Sequence, residues 1–235
     1  MKKGTLYLIP TTLGDNASYK RVIPDYNQQI VFQLTHFIVE KTRTARRFLK
    51  EIGHPIAIDE MQFVELNKHT GAEDYVGFLD AAEKGVSIGL LSEAGTPAVA
   101  DPGSVIVKQA HQKGIQVVPL SGPNSIILAL MVSGFSGQQF CFHGYLPKDS
   151  GQLIRKIKSL EADAQRDITQ IFIETPFRNN KMLEILLKNC KPQTMLCVAS
   201  DLTLPSERII SQSIGRWKKE TADFNKKPAV FLIGK

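Results

Sequence analysis

The chain of 235 residues lacks most of the features that would classify it at a glance. Its three cysteines, Cys141, Cys190 and Cys197, have no zinc-type spacing and form no disulfide framework, so no structural metal is expected. Cys141 and Cys197 stand in apolar runs and read as core residues. No apolar run approaches the length of a membrane span. The leading Met1-Lys2-Lys3-Gly4 enters a strand rather than a signal-peptide core, so no membrane partner is expected and the expected location is the cytoplasm. Gly-x-Gly-x-x-Gly is missing after the first strand, and no Gly-Lys-Ser/Thr phosphate loop is present, which removes the two commonest nucleotide fingerprints. There is no internal repeat and no low-complexity segment.

What is present is an ordinary globular composition, 43% hydrophobic and 22% charged, with enough length for one large or two small domains. The charge is divided unevenly. Residues 1–145 hold 13 basic and 13 acidic side chains, whereas residues 146–235 hold 16 and 10, so the whole net charge of +6 belongs to the second part. A basic second half is compatible with a polyanion such as RNA, through neutralisation of phosphates.

The chain is organised around Ser92-Glu93-Ala94-Gly95-Thr96-Pro97-Ala98-Val99-Ala100-Asp101-Pro102-Gly103. The buried-strand run from Val86 to Leu91 precedes it and an amphipathic run from Ser104 to Lys113 follows. It is therefore a loop at the carboxyl end of a strand, where open α/β sheets bind ligands. Pro10-Thr11-Thr12-Leu13-Gly14-Asp15 after the strand Thr5 to Ile9, and Ser121-Gly122-Pro123-Asn124-Ser125 after the strand Ile115 to Pro119, are two more such loops, and together they would form one cleft. Phe37 to Val39 and Gln62 to Leu66 read as further strands. Ser18 to Gln33 reads as a helix interrupted near Pro24. Thr42 or Thr44 is expected to cap a helix running to Ile52, on which Arg43, Arg46, Arg47 and Lys50 share one basic face able to hold RNA phosphate. A further helix is expected from Ala72 to Lys84.

After a break near Gly134-Phe135-Ser136-Gly137 the composition shifts. The expected division is therefore an N-terminal α/β domain, 1–133, and a C-terminal mixed α/β domain, 134–235. The second part reads as strand Gln139 to Tyr145, helix Gln152 to Ala162, strand Ile168 to Glu174, helix Pro176 to Asn189, strand Met195 to Ala199, a strand near Arg208 to Ser211, a short helix and a closing strand Ala229 to Ile233.

The order of Leu6-Tyr7-Leu8-Ile9-Pro10-Thr11, Glu40-Lys41-Thr42-Arg43, Ser92 to Gly103, Val117 to Pro123 and Phe140 to Pro147 resembles the tetrapyrrole methylase superfamily. Within it the chain looks most like the branch that methylates ribose in small-subunit ribosomal RNA (16S rRNA). That resemblance implies two α/β domains with a cofactor cleft between them, a homodimer, and S-adenosylmethionine as methyl donor. Carried over by position, it implies cofactor contacts at Leu13, Thr96, Val99, Asn124 and Ser125, at Ile173 or Glu174, and at Ala199, Pro228 and Ala229, many of them through backbone. The branch usually has an aspartate where Lys41 stands, and a histidine and an acid where Asn67 and Lys68 stand.

Methyl transfer from a sulfonium needs alignment above all, because the cofactor already activates the electrophile. A ribose hydroxyl must also lose its proton, and His69, Asp101 and Glu40 are the candidate bases. Asp101 has a second reading, that of fixing the turn before Pro102-Gly103. Arg43, Arg46 and Arg47 would position RNA phosphates. Two other functions fit the same motifs: methylation of a corrin or porphyrin precursor, and a non-catalytic module that binds S-adenosylmethionine or RNA.

Overall fold

A computed structural model of the chain describes residues 2–15, 17–66, 75 and 77–235. His69 and the rest of the polar segment 67–74 lie outside the described residues. The chain packs as two compact units, Met1–Asn124 and Ser125–Lys235.

The first unit runs β1 (Thr5–Ile9), α1 (Tyr19–Val22), α2 (Asp25–Val31), β2 (His36–Val39), α3 (Thr42–Glu51), β3 (Gln62–Glu65), α4 (Asp80–Glu83), β4 (Ile88–Leu91), α5 (Gly103–Gln112) and β5 (Gln116–Pro119). Its five strands are all parallel, in the order β3-β2-β4-β1-β5. A parallel sheet needs cover on both faces, and β4 is accordingly buried along its whole length. Ile88 and Leu90 join one apolar cluster with Ile106 and Ala110 of α5, while Leu91 joins the other with Phe48 and Leu49 of α3. Pro24 separates α1 from α2 as expected and stands at the N-cap of α2. Helix α3 buries Ala45, Phe48 and Leu49 and leaves Arg43, Arg46, Arg47 and Lys50 exposed. Its cap differs from the expectation. Neither Thr42 nor Thr44 caps it through a side chain; the Thr42 N–H instead donates to Glu65 Oε1 at 2.7 Å, from the end of β3.

The second unit runs α6 (Ser125–Ser133), β6 (Phe140–Tyr145), α7 (Ser150–Ala164), β7 (Thr169–Ile173), α8 (Asn179–Asn189), β8 (Met195–Ser200), β9 (Arg208–Ser213), α9 (Ile214–Trp217) and β10 (Ala229–Gly234). Its sheet is mixed, in the order β6-β7-β10-β8-β9; only β6 and β7 are parallel neighbours. Phe172 of β7 and Phe231 of β10 stack at 5.5 Å between ring centroids at the centre of the core, and the buried Trp217 donates its indole N–H to the Leu196 carbonyl at 2.8 Å. Asp149 caps α7 by accepting the Gln152 N–H. Helix α6 packs on β8, β9 and β10 and so goes with the second sheet, whereas the sequence reading placed it before the division at 133. Cys141 corrects a second expectation: it is exposed, because β6 is an edge strand with a partner on one side only, while Cys197 on the interior strand β8 is buried as read. Among the described residues no helix is long and apolar enough to cross a membrane.

Candidate functional site

In a parallel sheet every strand ends on the same edge, so the loops after β1, β4 and β5 leave neighbouring strands side by side. They are fastened to one another. The Thr11 N–H donates to the Gly95 carbonyl at 3.0 Å, and the Ser92 hydroxyl donates to the same carbonyl at 2.9 Å. Gly95 has φ +74°, and a Cβ there would come within 2.9 Å of both Leu13 Cδ2 and the Pro123 carbonyl, so only glycine lets all three loops close up. Asn124 Nδ2 donates to Thr96 Oγ1 at 2.6 Å. The structure thus brings together Leu13, Thr96 and Asn124, which the sequence singled out from three different loops.

The middle of the long loop is strained. Ala98 and Ala100 both adopt left-handed backbone, φ +64° and +62°, on either side of Val99, whose side chain is 48% exposed. Asp101 holds this conformation. Both of its oxygens accept the Ala98 N–H at 2.9 Å, and Oδ1 accepts the Gly103 N–H at 2.7 Å. Burial pushes its carboxyl above the ordinary 3.8, and those two N–H groups pull it back.

Glu40, at the end of β2, approaches from the other side. Its Oε1 accepts the Glu93 N–H at 3.0 Å, which ties the β2 end to the start of the β4 loop. Burial raises the Glu40 carboxyl above 4.5, the Glu93 N–H opposes, and the neighbouring Asp101 and Glu93 charges push it up again. Glu40 and Asp101 line one small apolar hollow with Val39, Leu66 and Leu90. Lys41, where the resembling branch has an aspartate, pairs with Glu93 at 3.0 Å, and this contact raises the lysine.

The basic face of α3 is partly engaged within the chain. Arg47 pairs with Asp15 beside an open hollow lined by Thr11, Thr12, Ser92 and Glu93, and Arg46 lies over the Phe63 ring at 5.4 Å. Sequence reading did not assign Glu65, Glu93 or Asp15 a role. Glu93 and Asp15 lie inside loops that drew attention, but their partners come from distant segments, and no local signal marks Glu65.

In the second unit three of the singled-out positions meet on the sheet. Ile173 pairs with Val230, Val230 pairs with Ala199, and Ala229 precedes it on β10. Pro228 leads into that strand, and its carbonyl accepts the Asp201 N–H at 3.0 Å. Glu174 is buried and bonded to the Thr175 N–H and to Arg178. Ser125 opens α6.

Comparison with known proteins is consistent with this arrangement. Residues 14–217 match the family model for tetrapyrrole (corrin/porphyrin) methylases. Similar in sequence are the ribosomal RNA small subunit methyltransferase I of Escherichia coli O157:H7, 30% identical over 98% of this chain and 78% of that protein, and that of Vibrio cholerae, 32% identical over 97% and 76%. The crystal structure of the methyltransferase CobJ has a similar fold, with a TM-score of 0.64 at 18% identity, covering 99% of this chain and 94% of that one. A match that begins in the β1 loop, passes through the braced β4 loop and extends into α9 leaves one conclusion: the chain belongs to the tetrapyrrole methylase family of methyltransferases.

Proposed function

We propose that the protein methylates small-subunit ribosomal RNA, at a ribose 2′-hydroxyl of 16S rRNA, with S-adenosylmethionine as donor. The observation that carries this reading is sequence identity of 30% over 98% of the chain to a relative named for that class of substrate. The basic second half of the chain supports it.

The residues at the three joined strand ends fit the donor. Side chains from Ala94 to Ala100 are small, Gly95 admits the close approach of Leu13, and Val99 is offered outward on a backbone that Asp101 keeps in place. Leu13, Thr96, Val99 and Asn124 of the first unit would hold the donor. In the second unit, Ser125, Ile173, Glu174, Ala199, Pro228 and Ala229 are the further contacts we assign to it. Bound there, the donor supplies a methyl group already activated on a sulfonium. The chain has to align it with the acceptor oxygen and take up a proton.

Glu40 suits that proton-accepting role better than Asp101. Both Asp101 oxygens are committed to backbone N–H groups, whereas Glu40 Oε2 has no hydrogen bond among the described residues. Burial raises Glu40 above its ordinary value, as it does Asp101, which strengthens either carboxylate as a base; the free Oε2 is what favours Glu40. Arg43, with no ion pair among the described residues, is the first of the α3 arginines we assign to RNA phosphate; Arg46 and Arg47 would exchange their internal partners for it. The same reading carries a cytoplasmic homodimer, with the exposed Ile127, Met131 and Val132 of α6 as the surface assigned to the second copy.

Transfer of labelled methyl from S-adenosylmethionine to small ribosomal subunits from cells lacking the protein tests the function, with a tetrapyrrole pool assayed in parallel. Label in 16S rRNA, falling as salt is raised, is the expected result. Label confined to the tetrapyrrole pool overturns it.

A further inference from the structure

The loop after β7 presents an unexpected combination. Thr175-Pro176-Phe177-Arg178 is fastened on every side. The Thr175 N–H donates to Glu174 Oε1 at 2.7 Å, and the Arg178 N–H donates to the Thr175 carbonyl at 2.8 Å. The Arg178 guanidinium reaches the buried Glu174 carboxylate at 3.2 Å, and the Lys226 N–H donates to the Pro176 carbonyl at 3.0 Å. Asn179, fully buried, donates to the Phe224 and Lys227 carbonyls, and Asn180 exchanges bonds with Phe224 and Asp223. Yet the Phe177 ring held by this frame is 75% exposed, more than any other large apolar side chain among those described. It has no aromatic or cationic partner among the described residues.

A phenyl ring left in water forfeits the gain of burial. A ring on an over-determined backbone also loses little freedom when a partner covers it, which is the economy that binding surfaces use. The chemistry around it narrows the partner. An aromatic anchor for protein sits in a wider apolar patch that excludes water. Here the neighbouring positions are polar or charged: Thr175, Arg178, Asn180, Lys181, Asn225 and Lys226, with the exposed acid Asp223 bonded to the Asn180 amide and to the Asn225 N–H. Lys181 and Lys226 are exposed and make no ion pair among the described residues. An exposed ring flanked by free cations is the means by which proteins take hold of unpaired bases, the ring stacking on the base and the cations answering the phosphates.

Resting on the RNA reading above, we propose that Phe177 is a stacking platform for an unpaired base of the RNA substrate, with Lys181 and Lys226 on the adjoining phosphates. The platform stands on the same strand end as Ile173 and Glu174, so a base held there lies beside residues assigned to the methyl donor.

The test compares F177L, F177A and F177W with the unaltered protein in two assays: methyl transfer to small ribosomal subunits, and polarisation binding of a fluorescein-labelled single-stranded oligoribonucleotide. Loss of a stacked base is expected to raise KM for subunits and weaken oligonucleotide binding about tenfold in F177L and F177A, with F177W within about threefold of the unaltered protein. Donor affinity and the urea midpoint stay unchanged, since the ring is already in water. F177L equal to the unaltered protein in both assays overturns the platform. A raised KM on subunits with unchanged oligonucleotide affinity assigns the ring to a ribosomal protein and also overturns it. Absence of transfer by the unaltered protein, together with oligonucleotide binding that depends on the ring, instead removes the enzymatic reading and leaves the platform standing.

Discussion

Two braces, Asp101 in the β4 loop of the first unit and Asn179 beyond the β7 loop of the second, solve the same problem with opposite chemistry. In each, irregular backbone at a strand end must find partners for groups that no helix or sheet satisfies. Around Ala98 and Gly103 the orphaned groups are N–H donors, and the residue supplied is a carboxylate, Asp101, which only accepts. At Phe224 and Lys227 the groups to be met are carbonyls, and the residue supplied is the amide Asn179, which donates both of its hydrogens, the Phe224 carbonyl also accepting the Lys227 N–H. The polarity of the orphaned backbone selects the brace. One consequence is that the first brace titrates and the second does not. Another is that each tolerates a different substitution.

The largest effect is expected where ligand room rather than bracing is attacked. Thr96→Arg places a long cation among Leu13, Gly95 and Asn124, so S-adenosylmethionine binding by calorimetry should be lost while stability to urea falls only by the lost Asn124 bond, about 1 kcal/mol. Unchanged affinity in a folded protein would remove the β4 loop from the donor site. Next comes the second brace. Asn179→Asp turns a fully buried donor into an acceptor facing two carbonyls, and an uncompensated buried charge costs about 3–5 kcal/mol in urea unfolding. Asp101→Asn should be milder, because the amide oxygen still accepts from Gly103 or Ala98. About 1 kcal/mol of stability and about tenfold in donor affinity are expected to go with the lost acceptor. Equal costs for the two exchanges would break the contrast between donor and acceptor braces.

How much of this was legible in the sequence depended on the range of the interaction. The fully buried β4 reads directly from its apolar run, and the loop after it from Gly95, Pro97 and Asp101-Pro102-Gly103, because turn chemistry is local. Even the bracing role of Asp101 is visible, since its partners are within three residues. Glu65 on the first turn of α3 is not, because it lies 23 residues away and only strand pairing of β2 with β3 delivers it. Asn179 is hidden in the same way: it sits inside a helical pattern, and its partners are 45 and 48 residues on. Helix α6 misleads for another reason. Ile126 to Val132 is apolar all round, so no face tells which sheet it covers, and the division assigned from composition fell after it rather than before it. Cys141 shows the limit of apolar runs as burial signals, because only the sheet order reveals that β6 is an edge.

The smallest effect is one of pH, and it belongs to the carboxyl groups of the first unit rather than to the uncharged brace of the second. Burial raises both Glu40 and Asp101 above their ordinary values of 4.5 and 3.8, so the folded protein holds protons that the unfolded chain has already released. Stability from this source is therefore full below those ordinary values and is lost as pH rises through the raised ones. Glu65 acts in the other direction. The Thr42 N–H and hydroxyl lower it, so its contribution is present above 4.5 and lost as pH falls below that. The interval above about pH 4.5 thus reports on the buried pair alone among these three groups. Urea midpoints measured from about pH 4.5 to 7 should decline more steeply for the unaltered protein than for Glu40→Gln, whose amide still accepts the Glu93 N–H but carries no proton to lose. Asn179→Gln, a change at the uncharged brace, should leave the slope as it is whatever it does to the midpoint. Equal slopes for the unaltered protein and Glu40→Gln would leave Asp101 or another group as the source of the decline and remove the raised carboxyl as an argument for Glu40 as the proton acceptor.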